Sequence, residues 1–237
     1  QDYEPYFFTR SSHSLFAEQT YRMGFYGIFG SPWLETLIAE KYGMRGFNFR
    51  YGYDPTLYRS IPGIPRDPEL VAVYLRPHTP RRGLELLLCA LVNLKKQRPA
   101  TRIRLYGSIL DLKNIPFECE QTGVLNDADL CRLYHEAALV VVTSLTNYSI
   151  IPVEAMACGA LVVDVNLPSV RSVFTDRRHL VLSEPDPVSL ARTLARCLNE
   201  PAERERIART GCEFAQTMTW DRIRGQIAQQ LLDAFYR

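Results

Sequence analysis

The sequence predicts an α/β domain, a parallel sheet with helices on both faces, and two observations carry that prediction. From Glu69 onward, short apolar runs alternate with longer segments whose apolar residues recur at helical spacing. The most regular stretch, ALVVVTSLTNYSIIPVEAMACGALVVD over Ala138–Asp164, reads as strand, loop, short helix, strand. Its valine-rich run Leu139–Thr143 is too short for a helix and reads as a buried strand.

Taken in order, residues 1–55 resemble part of one α/β unit. Gln1–Phe8 is aromatic and is expected to be extended, and Tyr21–Phe29 holds a short strand ending at Gly30. Ser31 caps a helix with Pro32 at its first position and Trp33, Leu34, Leu37 and Ile38 on its apolar face. Gly43 ends that helix, and Gly46–Tyr51 returns as a strand. So few elements cannot enclose a core, so this unit must pack on the rest of the chain or on something absent from it. Residues 54–68, DPTLYRSIPGIPRDP, carry four prolines, and a linker is placed at 56–68.

The main domain is expected over 69–219. Leu70–Leu75 is a strand, and Gly83–Lys96 is a helix with Leu84, Leu87, Leu88 and Leu91 at helical spacing. Strands follow at Arg102–Tyr106 and Gln121–Val124. Asn126 caps a helix carrying Leu130, Leu133, Tyr134 and Ala137. After the Ala138–Asp164 unit come a short run at Leu180–Leu182, a helix at 187–199, and another from Pro201 to near Met218. The segment 220–237 is an amphipathic helix with Trp220, Ile223, Ile227, Leu231 and Phe235 on one face. It is expected to dock on its own domain or on the N-terminal unit. Peripheral membrane association stays open, although the polar face holds only two arginines before Arg237.

The bulk composition excludes several classes. Hydrophobic residues make up 46% and charged residues 23% of the 237, an ordinary globular balance. The net charge of +2 argues against nucleic acid as a partner. No apolar run approaches the length of a bilayer span. The start, Gln1-Asp2-Tyr3-Glu4, is neither a signal peptide nor a natural Met start, which suggests an excerpt. The six cysteines form no C-x-x-C pair and read as small core hydrophobes in a reducing cytoplasm, with no zinc site. No P-loop, G-x-S-x-G or G-x-G-x-x-G is present.

Two loops carry the candidate chemistry. Arg76-Pro77-His78-Thr79-Pro80-Arg81-Arg82-Gly83 follows the domain's first strand, and guanidinium forks suit phosphate oxygens. Ser144–Ile151 precedes the helix opened by Pro152, whose free N–H groups favour an anion. Parallel topology puts both loops at the carboxyl edge of the sheet, where open α/β sheets bind ligands. Glu154, one turn into the helix, could accept hydrogen bonds from a ribose. The bland alternatives are a solvated basic loop and a glutamate that complements the helix dipole. Asp127-Ala128-Asp129 has the D-x-D form, yet it begins a helix, where acids are favoured without a metal. His78 lies beside the arginines; His135 is expected to face out of its helix.

Pro152–Val163, PVEAMACGALVV, resembles the helix-and-strand signature of glycosyltransferase family 4, which has the GT-B fold. Leu75-Arg76 followed by Arg82-Gly83 is similar to that family's Gly-Arg and Lys-Gly pair, with Leu75 for the glycine and Arg82 for the lysine. Gly123-Val124-Leu125 with Leu130, Leu133 and Tyr134, then His179-Leu180-Val181 and Met218-Thr219-Trp220, match the flanking frame. Gln1-Asp2-Tyr3-Glu4-Pro5 and Ser31-Pro32-Trp33-Leu34 resemble a narrower group, the WsaF-type bacterial rhamnosyltransferases.

The resemblance implies a GT-B C-terminal Rossmann-like domain plus the last part of an acceptor-side N-terminal domain at 1–55. It implies retaining, metal-independent transfer of a sugar, L-rhamnose from dTDP-rhamnose being one donor that fits, to a saccharide acceptor in bacterial surface polysaccharide synthesis. The nucleotide sugar is a substrate, and no cofactor or metal is implied. Arg76 and Arg82, with Arg81, would bind the diphosphate; Glu154 would hold the ribose. Tyr148, Ser149 and Ile150 would offer N–H groups and sugar contacts. The family's second glutamate, eight positions before Glu154, is here Thr146, which puts the donor-sugar contacts in question. The expected location is cytoplasmic, at the inner face of the membrane. The alternatives are a binding or scaffold module that lost catalysis and an effector-binding regulatory domain, which lacks a DNA-binding helix pair.

Overall fold

The computed structural model describes residues 1–111, 113 and 115–236. The N-terminal segment is not extended: Glu4–Phe7 forms a 3-10 turn, because Pro5 fixes a helical φ. Helix α1 (Ser12–Thr20) follows, unforeseen because SHSLFAEQT carries no apolar stripe; Ser11 and Ser14 cap it reciprocally. Strand β1 (Gly27–Phe29), helix α2 (Pro32–Tyr42) and strand β2 (Gly46–Asn48) form a small parallel unit. The Ser31 hydroxyl accepts from the Leu34 amide at 3.1 Å, and Gly43 closes the helix at φ 67°, where a side chain would be strained. Tyr3, Phe29, Leu34 and Ile38 form its buried apolar cluster, Pro5 and Phe47 are buried elsewhere in the unit, and Phe16, Phe25 and Ile28 stay exposed.

The main unit comprises β3 (Asp67–Tyr74), α3 (Leu84–Gln97), β4 (Arg102–Tyr106), β5 (Glu120–Gly123), α4 (Asp127–Glu136), β6 (Ala137–Val141), α5 (Ile151–Ala157), β7 (Leu161–Val165), α6 (Pro168–Arg171), β8 (Val181–Ser183), α7 (Pro187–Asn199) and α8 (Pro201–Ala215). The six strands from β3 to β8 are all parallel, in the order β5-β4-β3-β6-β7-β8. Successive side chains alternate between faces. Val71, Val73, Leu139 and Val141 pack with Leu87, Leu91 and Leu94 of α3 and with Leu190 and Leu194 of α7. Ala72, Val140 and Val162 pack with Leu133 and Tyr134 of α4 and Val153 and Met156 of α5. Every residue of β6 and β7 is buried, as a strand covered on both faces requires.

Helix α9 (Trp220–Tyr236) reaches back: the Tyr26 and Phe235 rings lie 5.4 Å apart. The return is fixed by backbone pairing, in which the Tyr53 amide donates to the Met218 carbonyl at 2.9 Å and the Trp220 amide to the Tyr53 carbonyl at 3.1 Å. Gly52 allows that approach, since a Cβ there would lie 2.7 Å from the Trp220 nitrogen. The proline-rich segment runs along α4, with Tyr58 buried and its hydroxyl donating to Asp127 at 2.9 Å. Arg237 lies outside the described residues. Among the described residues no helix is long and apolar enough to cross a membrane.

Candidate functional site

The strand order reverses between β3 and β6: one chain path leaves toward β4, the other toward β7, which opens a crevice at their carboxyl ends. The loops after β3 and β6 form its walls and bond to each other. The Leu145 amide donates to the Arg81 carbonyl at 3.2 Å, and the Thr143 hydroxyl donates to the Arg82 carbonyl. Gly83 sits at φ 59°, where a Cβ would come within 3.1 Å of the Leu145 side chain and 3.3 Å of the Thr143 hydroxyl. Glycine is therefore needed there for both backbone and space.

A cavity of about 590 Å³ opens in this crevice. Seven of the sequence-predicted site residues line it: Arg76, Arg81, Arg82, Tyr148, Ser149, Ile150 and Glu154. The eighth, Thr146, does not; it is buried behind Asp2, to whose carboxylate its hydroxyl donates at 2.8 Å. Tyr148 also differs from expectation. Its amide donates to the Asn147 side chain at 3.0 Å, and its hydroxyl accepts from the Tyr51 amide at 2.6 Å, so it ties the N-terminal unit to the loop. Helix α5 starts at Ile151 with no side-chain cap, and the Ser149 hydroxyl has no partner among the described residues.

The cations differ in their surroundings. Arg76 is exposed at the cavity rim. Arg81 lies 3.5 Å from an Asp2 carboxylate oxygen, with its guanidinium 3.9 Å above the Phe7 ring. Arg82 is half-buried, its Nε without a partner among the described residues, and burial pushes its pKa down. It stays cationic, as arginine does, and so remains a poised donor. In the same cavity, burial and then the charge of Asp127 push the Glu154 carboxyl up to about 7. Asp164, one residue before the end of β7, is fully buried, and burial raises its carboxyl to about 6. Its Oδ1 accepts from the Ser144 amide at 3.0 Å and the Val165 amide at 2.7 Å, while its Oδ2 has no partner among the described residues.

Sequence reasoning missed Asp2, Tyr51, Tyr58 and Asp164. Only Asp164 left a signal, a carboxylate closing the run Leu161–Val163, which burial tolerates only if it is hydrogen-bonded. The D-x-D acids part company: Asp127 lines the cavity, whereas Asp129 exchanges bonds with Asn126 as a cap. His78 is exposed and does not line this cavity.

Two further expectations need correction. His135 does not face solvent: it is buried, its Nε2 lying 2.8 Å from the Arg59 carbonyl and 3.1 Å from the Ile61 amide, because the proline-rich segment covers that side of α4. Cys89 is exposed, since α3 turns Leu87 and Leu91 inward and position 89 outward. Cys131, His135 and Cys158 come together in the core, within 4.8 Å of one another, though the sequence spacing suggested no such cluster. The imidazole nitrogen is there already engaged by the Ile61 amide.

Residues 58–214 match the family described as "Glycosyl transferases group 1". The chain is 32% identical over 237 residues to the O-antigen biosynthesis protein RfbC of Myxococcus xanthus, covering 98% of this chain and 19% of that protein. It therefore spans about a fifth of that relative's length. It is similar in structure to sucrose-phosphate synthase (tll1590) from Thermosynechococcus elongatus, with TM-score 0.79 and 21% identity over 95% of this chain and 63% of that one. It is also similar to Anabaena Alr3699/HepE in complex with UDP-glucose, with TM-score 0.77 and 21% identity over 94% of this chain and 68% of that one. At these identities the structures establish the fold, which is the Rossmann-like α/β fold of GT-B glycosyltransferases. With a family match that spans all six strands of the main sheet, the chain belongs to the group 1 glycosyl transferases.

Proposed function

We propose that the chain forms the donor-nucleotide half of a glycosyltransferase that moves a sugar from a nucleoside-diphosphate sugar to a saccharide acceptor. The observation that carries the reading is the meeting of Arg76, Arg81, Arg82 and Glu154 in one cavity at the switch point of the sheet. Arg76 and Arg82 act on the departing diphosphate, whose growing charge they stabilise; Arg81 and the Ser149–Ile150 edge complete the grip. Glu154 accepts from the ribose hydroxyls. In this reading guanidinium groups supply the positive charge, and no metal or further cofactor takes part. The HepE complex with UDP-glucose, on a similar fold, supports a nucleotide sugar as ligand.

The finer reading is retaining transfer, with the leaving phosphate taking the acceptor proton. The RfbC likeness supports a place in bacterial surface polysaccharide synthesis; a location on the cytoplasmic side of the membrane belongs to the same proposal. The N-terminal resemblance to rhamnosyltransferases supports dTDP-rhamnose as donor. Titration calorimetry of the intact protein with UDP, GDP and dTDP sugars tests this. The expected result is saturable binding of one nucleotide class, lost with Arg82→Ala; absence of binding across the panel contradicts it. Binding without turnover on acceptor addition would favour a non-catalytic module.

A further inference from the structure

Asp2 lies far from the loops it touches in sequence and outside the family-matched residues 58–214, yet it lines the cavity. The residue is 9% exposed. Oδ1 accepts from the Tyr3 amide at 2.8 Å and the Asn147 amide at 3.1 Å. Oδ2 accepts from the Thr146 hydroxyl at 2.8 Å and stands 3.5 Å from Arg81 Nε. Around it, the Gln1 carbonyl accepts from the Asn147 side chain and the Tyr51 hydroxyl, both at 2.8 Å, and Phe7 lies beneath the Arg81 guanidinium. One carboxylate thus joins the loop after β3, through Arg81, to the loop after β6, through Thr146 and Asn147. These are the two walls between which a nucleotide sugar must fit.

We propose that Asp2 is a positioning residue of the donor site: its carboxylate sets the Thr146–Asn147 backbone and the Arg81 fork relative to each other, so that both walls meet a nucleotide sugar already in register. The proposal rests on the nucleotide-sugar reading above and adds a residue from outside the sheet domain to it. A buried charge that accepts from two loops at once restricts both, and preorganised donors bind charge more strongly than mobile ones. The bland alternative is that Asp2 only anchors the N-terminal segment. The geometry separates the two. Thr146 Oγ1 and Asp2 Oδ2 are 2.8 Å apart, so a glutamate at 146 can bring a carboxylate to the same place from the loop itself. Such an acid restores the link to Arg81 but anchors nothing in the N-terminal segment.

The test uses the intact protein and four forms: parent, Asp2→Asn, Asp2→Ala, and Asp2→Ala with Thr146→Glu. Calorimetry with UDP, UDP-glucose, dTDP and dTDP-rhamnose gives dissociation constants, and turnover with the donor that binds gives KM and kcat separately. Asp2→Ala is expected to raise the donor Kd and KM about tenfold or more with a smaller change in kcat, and the added Thr146→Glu to recover most of that loss. Asp2→Asn keeps the side-chain shape, so it serves if Asp2→Ala fails to fold, and is expected to weaken donor binding about threefold or more by removing the charge beside Arg81. Donor affinity unchanged in Asp2→Asn and Asp2→Ala overturns the proposal, and so does a loss that Thr146→Glu leaves in place. A parent protein that binds none of the four compounds overturns the nucleotide-sugar reading and this one with it; a parent that binds alongside indifferent Asp2 variants overturns this one alone.

Discussion

Asp127 and Glu154 line one cavity, and the negative charge of Asp127 adds to burial in pushing the Glu154 carboxyl up to about 7. Asp127 is itself held by the Tyr58 hydroxyl at 2.9 Å. The cavity that holds the arginines therefore also carries a glutamate that exchanges its proton near neutrality, where an ordinary glutamate is already ionised.

This sets the pH dependence of ligand binding. A ribose diol donates to an ionised carboxylate, so binding favours the deprotonated form of Glu154. Nucleotide affinity is expected to rise as pH increases through about 7 and to level off above it, with proton release on binding below that point. Calorimetry in buffers of different ionisation enthalpy measures the released proton directly. Asp127→Asn should move the transition to lower pH, and Glu154→Gln should abolish it.

The same shift acts on stability with the opposite consequence. The folded chain keeps a proton on Glu154 that the unfolded chain gives up, so ν for the native state exceeds that of the unfolded state between the ordinary carboxylate value and about 7. Its contribution is fully present below that window and is lost as pH rises through it. Urea denaturation of parent and Glu154→Gln across this range is expected to show a steeper fall in the parent. Parallel curves contradict the assignment.

Much of this arrangement is legible in the sequence because period and punctuation decide it. Ser31-Pro32 with Gly43 bounds α2, and the apolar runs at Leu139 and Leu161 announce β6 and β7, because a strand covered on both faces has no polar option. The two cavity-lining loops follow from parallel topology alone. What the sequence conceals is contact between distant segments. Asp2 reaches Thr146 across 144 positions, and His135 is buried only because the proline-rich segment folds over α4. A helix such as Ser12–Thr20, with capping but no apolar face, gives periodicity nothing to detect.

Asp164 is expected to matter for the loop more than for the sheet. Its carboxylate holds the Ser144 amide at the start of the loop, and Asp164→Ala leaves two buried amides without an acceptor. The expected cost is about 2 to 6 kcal/mol in folding stability, from roughly 1–3 kcal/mol for each of the two buried unsatisfied groups. Chemical denaturation measures it, and a loss below about 0.5 kcal/mol, the usual range for surface changes, contradicts the role.

Gly52 is expected to be intolerant of any side chain, because the atom it would meet is the Trp220 backbone nitrogen at 2.7 Å, part of a paired backbone that cannot swing aside. Gly52→Ala should lower stability by about 1–3 kcal/mol, as overpacking does, and loosen α9 from Tyr53. Hydrogen exchange at the Tyr53 and Trp220 amides reads out the loosening, and unchanged protection there contradicts it.

The arginine loop and Glu154 are expected to grip two ends of one nucleoside diphosphate. A crystal structure of the intact protein with the nucleoside diphosphate that binds best tests it most directly. Phosphate oxygens are expected within hydrogen-bonding distance of Arg82 and Arg76, and the ribose hydroxyls on the Glu154 carboxylate. A ligand seated elsewhere, or one bound in this cavity with its ribose away from Glu154, contradicts it.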